Sequence, residues 1–385
     1  LAGNFCGLMG MWVLRVAMAW MAWELTGSAG WTGAVAFLNF APTLISGPLF
    51  GVAADRSDPR LGMMATQSGQ ALCAAALAAL AAWGLLTLTA LAALALASGV
   101  AASAYHPMRM SLAPRLVPRA DLPQAVAMTA LNFNTTRMIG PALGGWLIAG
   151  EGAATATALA MLCFAPQVAA LMWIPPQPPN RAARAAAGGL VGFAQELRGG
   201  GAFVLDRPML REAFYVSFFF SFAGRGILEI LPAAADGLYG RGAAGLGLLT
   251  AAAGGGAVLS SLWLAKGARD AAQMRRRALT AAVCGQMLVL SLALIESWPA
   301  TLLAVAGLGA AGTVVGVSSQ SLTQTGTPDG TRGRVMSLWI LMGIGGAALG
   351  ALGLGALADQ VGLRAALGAG AALALIALLL RPRPS

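Results

Sequence analysis

The chain has 385 residues, of which 58% are hydrophobic and only 10% charged, with a formal net charge of +10. A soluble domain carries about 25% charged residues, so this composition, with a mean hydropathy of +0.74, excludes a soluble globular protein and points to an all-α integral membrane protein. The basic excess does not mark a nucleic-acid partner, because Arg and Lys fall in short segments between apolar runs.

A membrane helix needs about 20 apolar residues. The apolar runs predict twelve transmembrane helices, at 4–25, 31–53, 62–83, 87–113, 124–149, 154–174, 208–235, 243–265, 278–295, 299–325, 334–357 and 363–380. Twelve helices use roughly 240 residues and leave about 12 per connection, so no sizeable soluble domain fits. The chain begins at Leu1 without Met. Its first run is too long for a cleavable signal peptide and lacks a cleavage pattern.

Pro175–Leu205 divides the chain, because Pro-Pro-Gln-Pro-Pro and the scattered Arg and Gly after it cannot span a membrane. Within it, Gly192–Arg198 suits a short surface helix. The expected organisation is a six-helix half (1–174), a cytoplasmic linker (175–207) and a second six-helix half (208–385). The halves read as repeats: Leu116–Met128 before the fifth helix matches Gly326–Met336 before the eleventh, with Pro118 and Pro328 210 residues apart. Nineteen Lys and Arg fall in alternate connections and the C-terminal tail, against two, Arg241 and Arg364, in the opposite set. By the positive-inside rule this places both termini in the cytoplasm. Cys6, Cys73, Cys163 and Cys284 all lie inside apolar runs and read as small hydrophobes, not as disulfides or a metal site.

Three basic residues, Arg15, Arg137 and Arg225, lie inside predicted helices. An ionisable residue at the centre of a span costs about 2.5–3.5 kcal/mol and faces a cavity or a partner. In the seventh helix Ser217, Ser221, Arg225 and Glu229 recur every fourth residue as a polar stripe. The Arg225/Glu229 spacing suits either a neutralising ion pair or a proton-exchanging acid tuned by its neighbour. Arg15 has no acid within one turn, so its partner comes from another helix or from a ligand. Arg137 follows Asn132, Asn134, Thr135 and Thr136, and serves either a ligand or a structural hydrogen-bond hub. His106, the only histidine, is either a packing residue or a proton relay. In the tenth helix Gln320 and Gln324 share a face suited to a polar group on a ligand or on a neighbouring helix.

Gly51-Val-Ala-Ala-Asp-Arg-Ser-Asp-Pro-Arg60 packs four charges into a short connection. Its Asp58-Pro59 pair predicts a helix start, with Asp58 accepting from backbone N–H groups and Pro59 at the first helical position. In Gly140-Pro-Ala-Leu-Gly-Gly145, Gly140 and Gly144 share a helix face that admits a neighbour closely, and Pro141 permits a kink. There is no Gly-rich phosphate loop, metal-ligand spacing or catalytic triad, so no ATP drive, no cofactor and no enzyme chemistry is expected.

The Gly51–Arg60 turn resembles the loop between helices 2 and 3 of the major facilitator superfamily, and Gly140–Gly145 resembles a motif of its antiporters. With Trp23–Ser28, Pro42–Pro48, Pro114–Pro118 and Arg332–Met336, the chain is similar to the branch holding the enterobactin exporter and macrolide efflux proteins. That resemblance implies a secondary transporter with two six-helix pseudo-repeats in a bacterial inner membrane. It implies alternating access and proton-coupled export of an amphipathic or hydrophobic small molecule, drug or siderophore-like. Helices 1, 4, 7 and 10 of that fold line the cavity, which makes Arg15, His106, Arg225, Glu229, Gln320 and Gln324 substrate or coupling candidates, with Arg137 beside them. It assigns gating to Gly51, Asp55, Arg56 and Arg60 against Arg332 and Arg334, and sealing to Gly140, Pro141, Gly144 and Gly145. Asp58-Pro59 departs from the family loop, which carries Gly and further basic residues there. The expected partners are membrane lipid, a small-molecule substrate and protons, with a monomer as the default. Two other readings stay open: a lysophospholipid transporter, and a non-transporting assembly partner in a larger membrane complex.

Overall fold

The computed structural model describes residues 2–112, 115–118, 121–177, 198–265, 267 and 270–381. Among these the chain is helical, with no strand. Helices α1 (Ala2–Thr26), α2 (Ala29–Arg56), α3 (Pro59–Ala82) and α4 (Leu88–Leu112) precede a run, Leu122–Met172, that breaks at Gly152. Its two arms are α5 (122–151) and α6 (153–172). A short helix at 198–205 leads to α7, an interrupted helix over 208–238. Then come α8 (Gly242–Leu264), α9 (Ala271–Leu294), α10 (Trp298–Thr325), α11 (Asp329–Val361) and α12 (Leu363–Leu379). Seven helices among the described residues are by themselves long and apolar enough to cross a membrane.

Most boundaries lie within about three residues of those expected from hydropathy. Two starts do not: α9 starts at Ala271 and α11 at Asp329, seven and five residues before the expected 278 and 334, and α11 also runs four residues past the expected 357 to Val361. Hydropathy marks where the membrane begins, whereas a helix begins where its first N–H groups find acceptors. Asp270 provides such an acceptor, taking the N–H of Gln273 at 2.7 Å. Asp58 does the same for α3, taking the N–H of Arg60 at 2.9 Å with Pro59 next in line.

Two of the hairpin joints are single glycines. Gly152 (φ 84°, ψ 167°) joins α5 to α6, and Gly362 (φ 86°, ψ 152°) joins α11 to α12. Side chains rarely tolerate this backbone region. The two glycines stand 210 residues apart, the offset that Pro118 and Pro328 give.

The chain divides into two compact units. One comprises Leu1–Thr26 and Leu38–Phe193; the other comprises Gly27–Phe37 and Ala194–Ser385. The first turns of α2 therefore belong with the second unit. In the first unit α1 lies along the α5–α6 hairpin, and α3 packs on α4. Leu8, Met63, Tyr105, Met108, Leu112 and Leu171 form a shared core from α1, α3, α4 and α6. In the second unit α10 packs on α8 and α9, and α11 on α7.

Glu212 of α7 is 2% exposed and takes an ion pair from Arg275 of α9. It also accepts from Arg381 Nε, beyond α12, at 2.8 Å. One carboxylate thus ties three elements of the second unit. Removing one partner of a buried pair strands the other charges; with Arg275 36% exposed, the cost falls to about 2–3 kcal/mol. Glu212→Ala should lower the melting temperature of the purified protein by several degrees, and Glu212→Gln by less, since the amide still accepts from one arginine. Differential scanning fluorimetry in detergent checks this.

Candidate functional site

In the first unit the sequence candidate Arg15 sits half-buried on α1. Its guanidinium carbon lies 4.0 Å from the centroid of Phe40 on α2 and 5.5 Å from that of Trp12. Trp12 in turn meets Phe133 of α5 edge-on at 5.8 Å. Ring faces carry negative potential, so they offset part of the cost of a cation in the membrane. The Trp12 indole N–H is buried with no hydrogen-bond partner. This corner of α1, α2 and α5 thus holds a cation against two ring faces, with a third ring edge-on to Trp12 and a buried indole donor beside it.

The Gly140 motif is what brings α5 here. A Cβ on Gly140 would lie 2.6 Å from the Cβ of Trp12, and Gly144 packs on Val13. Gly140, Pro141, Gly144 and Gly145 are all buried. Arg137 is half-buried one turn before them. Its neighbour Thr136 bonds back to the Asn132 and Phe133 carbonyls at 2.9 and 3.0 Å.

Nearer the start of α1, the Tyr105 hydroxyl donates to Asn4 Oδ1 at 2.5 Å and accepts from Gln167 Nε2 at 3.3 Å. Arg60 donates to the Leu171 and Met172 carbonyls at 2.7 and 3.1 Å, closing the end of α6. Asp58 accepts there too, from the N–H of Gln177 at 3.1 Å. The Gly51–Arg60 turn therefore holds α3 to α6 through Asp58 and Arg60. The side chains of Gly51, Asp55, Arg56 and His106 lie outside the described residues.

In the second unit the Ser217–Glu229 stripe does not stay on one face, which corrects the expectation of a regular helix. Ser221–Arg225 is a π-turn, and a second π-turn covers Ala233–Leu238. A wider turn rotates the residues after it: Ser217 and Ser221 are buried, Arg225 is exposed and Glu229 is half-buried. Such turns cluster at functional positions. On α10 Gln320 is half-buried and Gln324 exposed, while Ser318 and Ser319 between the helices are buried. Arg332 donates to the Thr327 carbonyl at 3.3 Å, and Arg334 is exposed.

Sequence reasoning missed the ring cluster of Phe40 on Arg15 and Phe133 on Trp12. The Trp12/Arg15 spacing places both on one face of α1, but Phe40 and Phe133 come from distant helices and carry no local signal. It also missed Asp359 of α11, whose carboxylate meets Ser28 and Gly30.

Overpacking a tight helix seam costs about 1–3 kcal/mol. Gly140→Val should therefore lower the melting temperature by several degrees, while Gly150→Ala, with nothing within 4 Å of its added carbon, should leave it unchanged. Parallel melts of the two variants check this.

The family model for transmembrane secretion effectors matches residues 2–383. The enterobactin exporter of Shigella boydii serotype 18 (strain CDC 3083-94 / BS512) is 29% identical over 277 residues, covering 70% of this chain and 64% of that protein. The enterobactin exporter of Escherichia coli O81 (strain ED1a) matches to the same extent. The matched stretch thus spans 64% of the length of these curated relatives. Among solved structures, a POT family transporter in complex with 5-aminolevulinic acid gives a TM-score of 0.72 at 14% identity, over 98% of this chain and 93% of that one. A bacterial homolog of the human lysosomal transporter Spinster, inward-facing and occupied, gives 0.73 at 14% identity, over 100% and 96%. At these identities the structural likeness shows the fold alone. With a family model covering nearly every residue, the chain belongs to the transmembrane secretion effector family of the major facilitator superfamily.

Proposed function

We propose that this protein is a proton-coupled exporter of an amphipathic, aromatic or siderophore-like small molecule, working by alternating access in a bacterial inner membrane. The observation that carries this reading is Arg15, an ionisable group held at mid-helix against the faces of Phe40 and Trp12. A cation kept inside a membrane at a cost of about 2.5–3.5 kcal/mol serves a ligand, a proton or a partner charge. The exporter relatives favour a ligand. Glu229, just beyond the π-turn of α7, supplies the proton-exchanging carboxylate. Gln320 and Gln324 of α10, with His106 and Arg137, add polar groups for substrate. Both termini lie in the cytoplasm by the distribution of basic residues. The halves 1–174 and 208–385 rock about the 175–207 linker, with Asp55 and Arg56 gating against Arg332 and Arg334, and the monomer is the working unit.

Inverted membrane vesicles holding an imposed pH gradient test this. Amphipathic drugs, siderophores and lysolipids are added, and the gradient is followed with a pH-sensitive dye. Substrate-dependent collapse is expected, and it should be lost in Glu229→Gln. Arg15→Met should keep the melting temperature and lose transport at least about tenfold, because the rings pack as well on a thioether as on a guanidinium. Collapse that survives intact in Glu229→Gln overturns the coupling assignment. No response to any compound turns the reading toward lipid movement or a non-transporting role.

A further inference from the structure

The basic residues at the start of α9 have no task in the transport reading. Arg275, Arg276 and Arg277 follow one another in its first two turns. The N-terminal end of a helix is positive and favours acids, so three cations there oppose its dipole unless something answers them. Asp270 is engaged in the cap, taking the Gln273 N–H. Glu212 answers Arg275, but it also holds Arg381, so one negative charge serves two arginines. Among the described residues no ion pair reaches Arg276 or Arg277. The sequence adds Lys266 and Arg269 to the same connection.

The surroundings of these arginines suit a lipid. Both α8 and α9 pack on α10. On α9 the exposed side chains Arg276, Thr280, Cys284 and Met287 form one stripe, with Arg276 at its end. On α8 the last turns expose Leu259, Leu262 and Trp263. The Arg277 guanidinium carbon lies 4.6 Å from the Trp263 ring centroid and so links the two helices. An arginine stacked by its flat face keeps its in-plane N–H groups for oxygen, and a phosphate fits that fork. Tryptophan favours the boundary between hydrocarbon and headgroups, and α8 ends one residue after Trp263, at Leu264. Apolar side chains thus lead along the helices to a cluster of arginines at headgroup depth.

We propose that the joined ends of α8 and α9 form a binding site for an anionic phospholipid, with its phosphate on Arg276 and Arg277 and an acyl chain along the exposed face of α9. Trp263 is the platform that holds Arg277 flat. The surplus positive charge selects the headgroup. Phosphatidylcholine brings its own cation, which the arginines repel, and Arg277 already covers the Trp263 ring that would receive it. Phosphatidylglycerol brings no cation. The site is independent of what the protein transports and of which side of the membrane this end faces.

Native mass spectrometry of the full-length protein in detergent, titrated with phosphatidylglycerol or phosphatidylcholine, tests this. The wild type should hold phosphatidylglycerol at least about fivefold more tightly, the effect of one unbalanced charge near the membrane surface. Arg276→Gln with Arg277→Gln should weaken phosphatidylglycerol binding roughly thirtyfold, about fivefold for each arginine lost, and leave phosphatidylcholine binding as it was. Arg276→Lys with Arg277→Lys keeps the charge but not the flat stack, and should fall between. Arg241→Gln removes the comparable stack on Trp298 at the other end of α8 and should change neither lipid. Glycerol phosphate, which lacks acyl chains, should not displace the bound lipid. Equal affinity for the two lipids overturns the site, as does phosphatidylglycerol binding that survives in the double glutamine variant or falls equally in Arg241→Gln. Displacement by glycerol phosphate also overturns it, since the arginines then take free anions and the helix faces contribute nothing.

Discussion

Close backbone approach is the condition on which this structure depends. In hydrocarbon two helices gain little by burying apolar side chains against each other, because lipid tails are equally apolar. They gain when their backbones come near enough for dense van der Waals contact. The chain does this with glycine and alanine. On α8 and α10 the arrangement is reciprocal: Gly256 meets the Ala306 carbonyl and Gly309 meets the Ala253 carbonyl. On α1, Gly3, Gly7 and Gly10 face α6 at Pro166, Gln167 and Ala160. The large side chains are left to fill the corners, as Phe220 does between Gly285 and Gly312.

Polar groups then decide what the seams can do. Where a charge ties elements of one unit, as Glu212 does, it is buried and multiply bonded. Where α2 meets α11 the carboxylate is exposed. The same chemistry is thus buried in one place and open to solvent in the other, and solvent access weakens the second. The π-turns of α7 lie in the helix against which α11 packs.

Much of this was legible in the sequence, for identifiable reasons. The apolar runs mark the helices of the described residues because lipid tolerates only self-satisfied backbones. Asp58-Pro59 announces the start of α3 because caps act within three residues of themselves. The small-residue motif at Gly140 announces a tight contact, though not with Trp12. What stayed hidden depends on pairing in space. Nothing near Arg15 names Phe40, nothing near Trp12 names Phe133, and nothing near Ser28 names Asp359. The π-turn at Ser221–Arg225 was hidden for a different reason. Its residues suit a regular helix, and packing against α11, with Gly350 on the Phe222 carbonyl, accompanies the wider turn.

The joints at Gly152 and Gly362 carry a consequence for tolerance to change. Each is one residue long, and each uses a backbone geometry that favours glycine, at φ 84° and φ 86°. Around both there is open space for a side chain, yet the backbone conformation itself resists one. Two of the chain's sharpest reversals therefore share a weakness that owes nothing to packing: any side chain at either position must be accommodated by the turn, not by its neighbours.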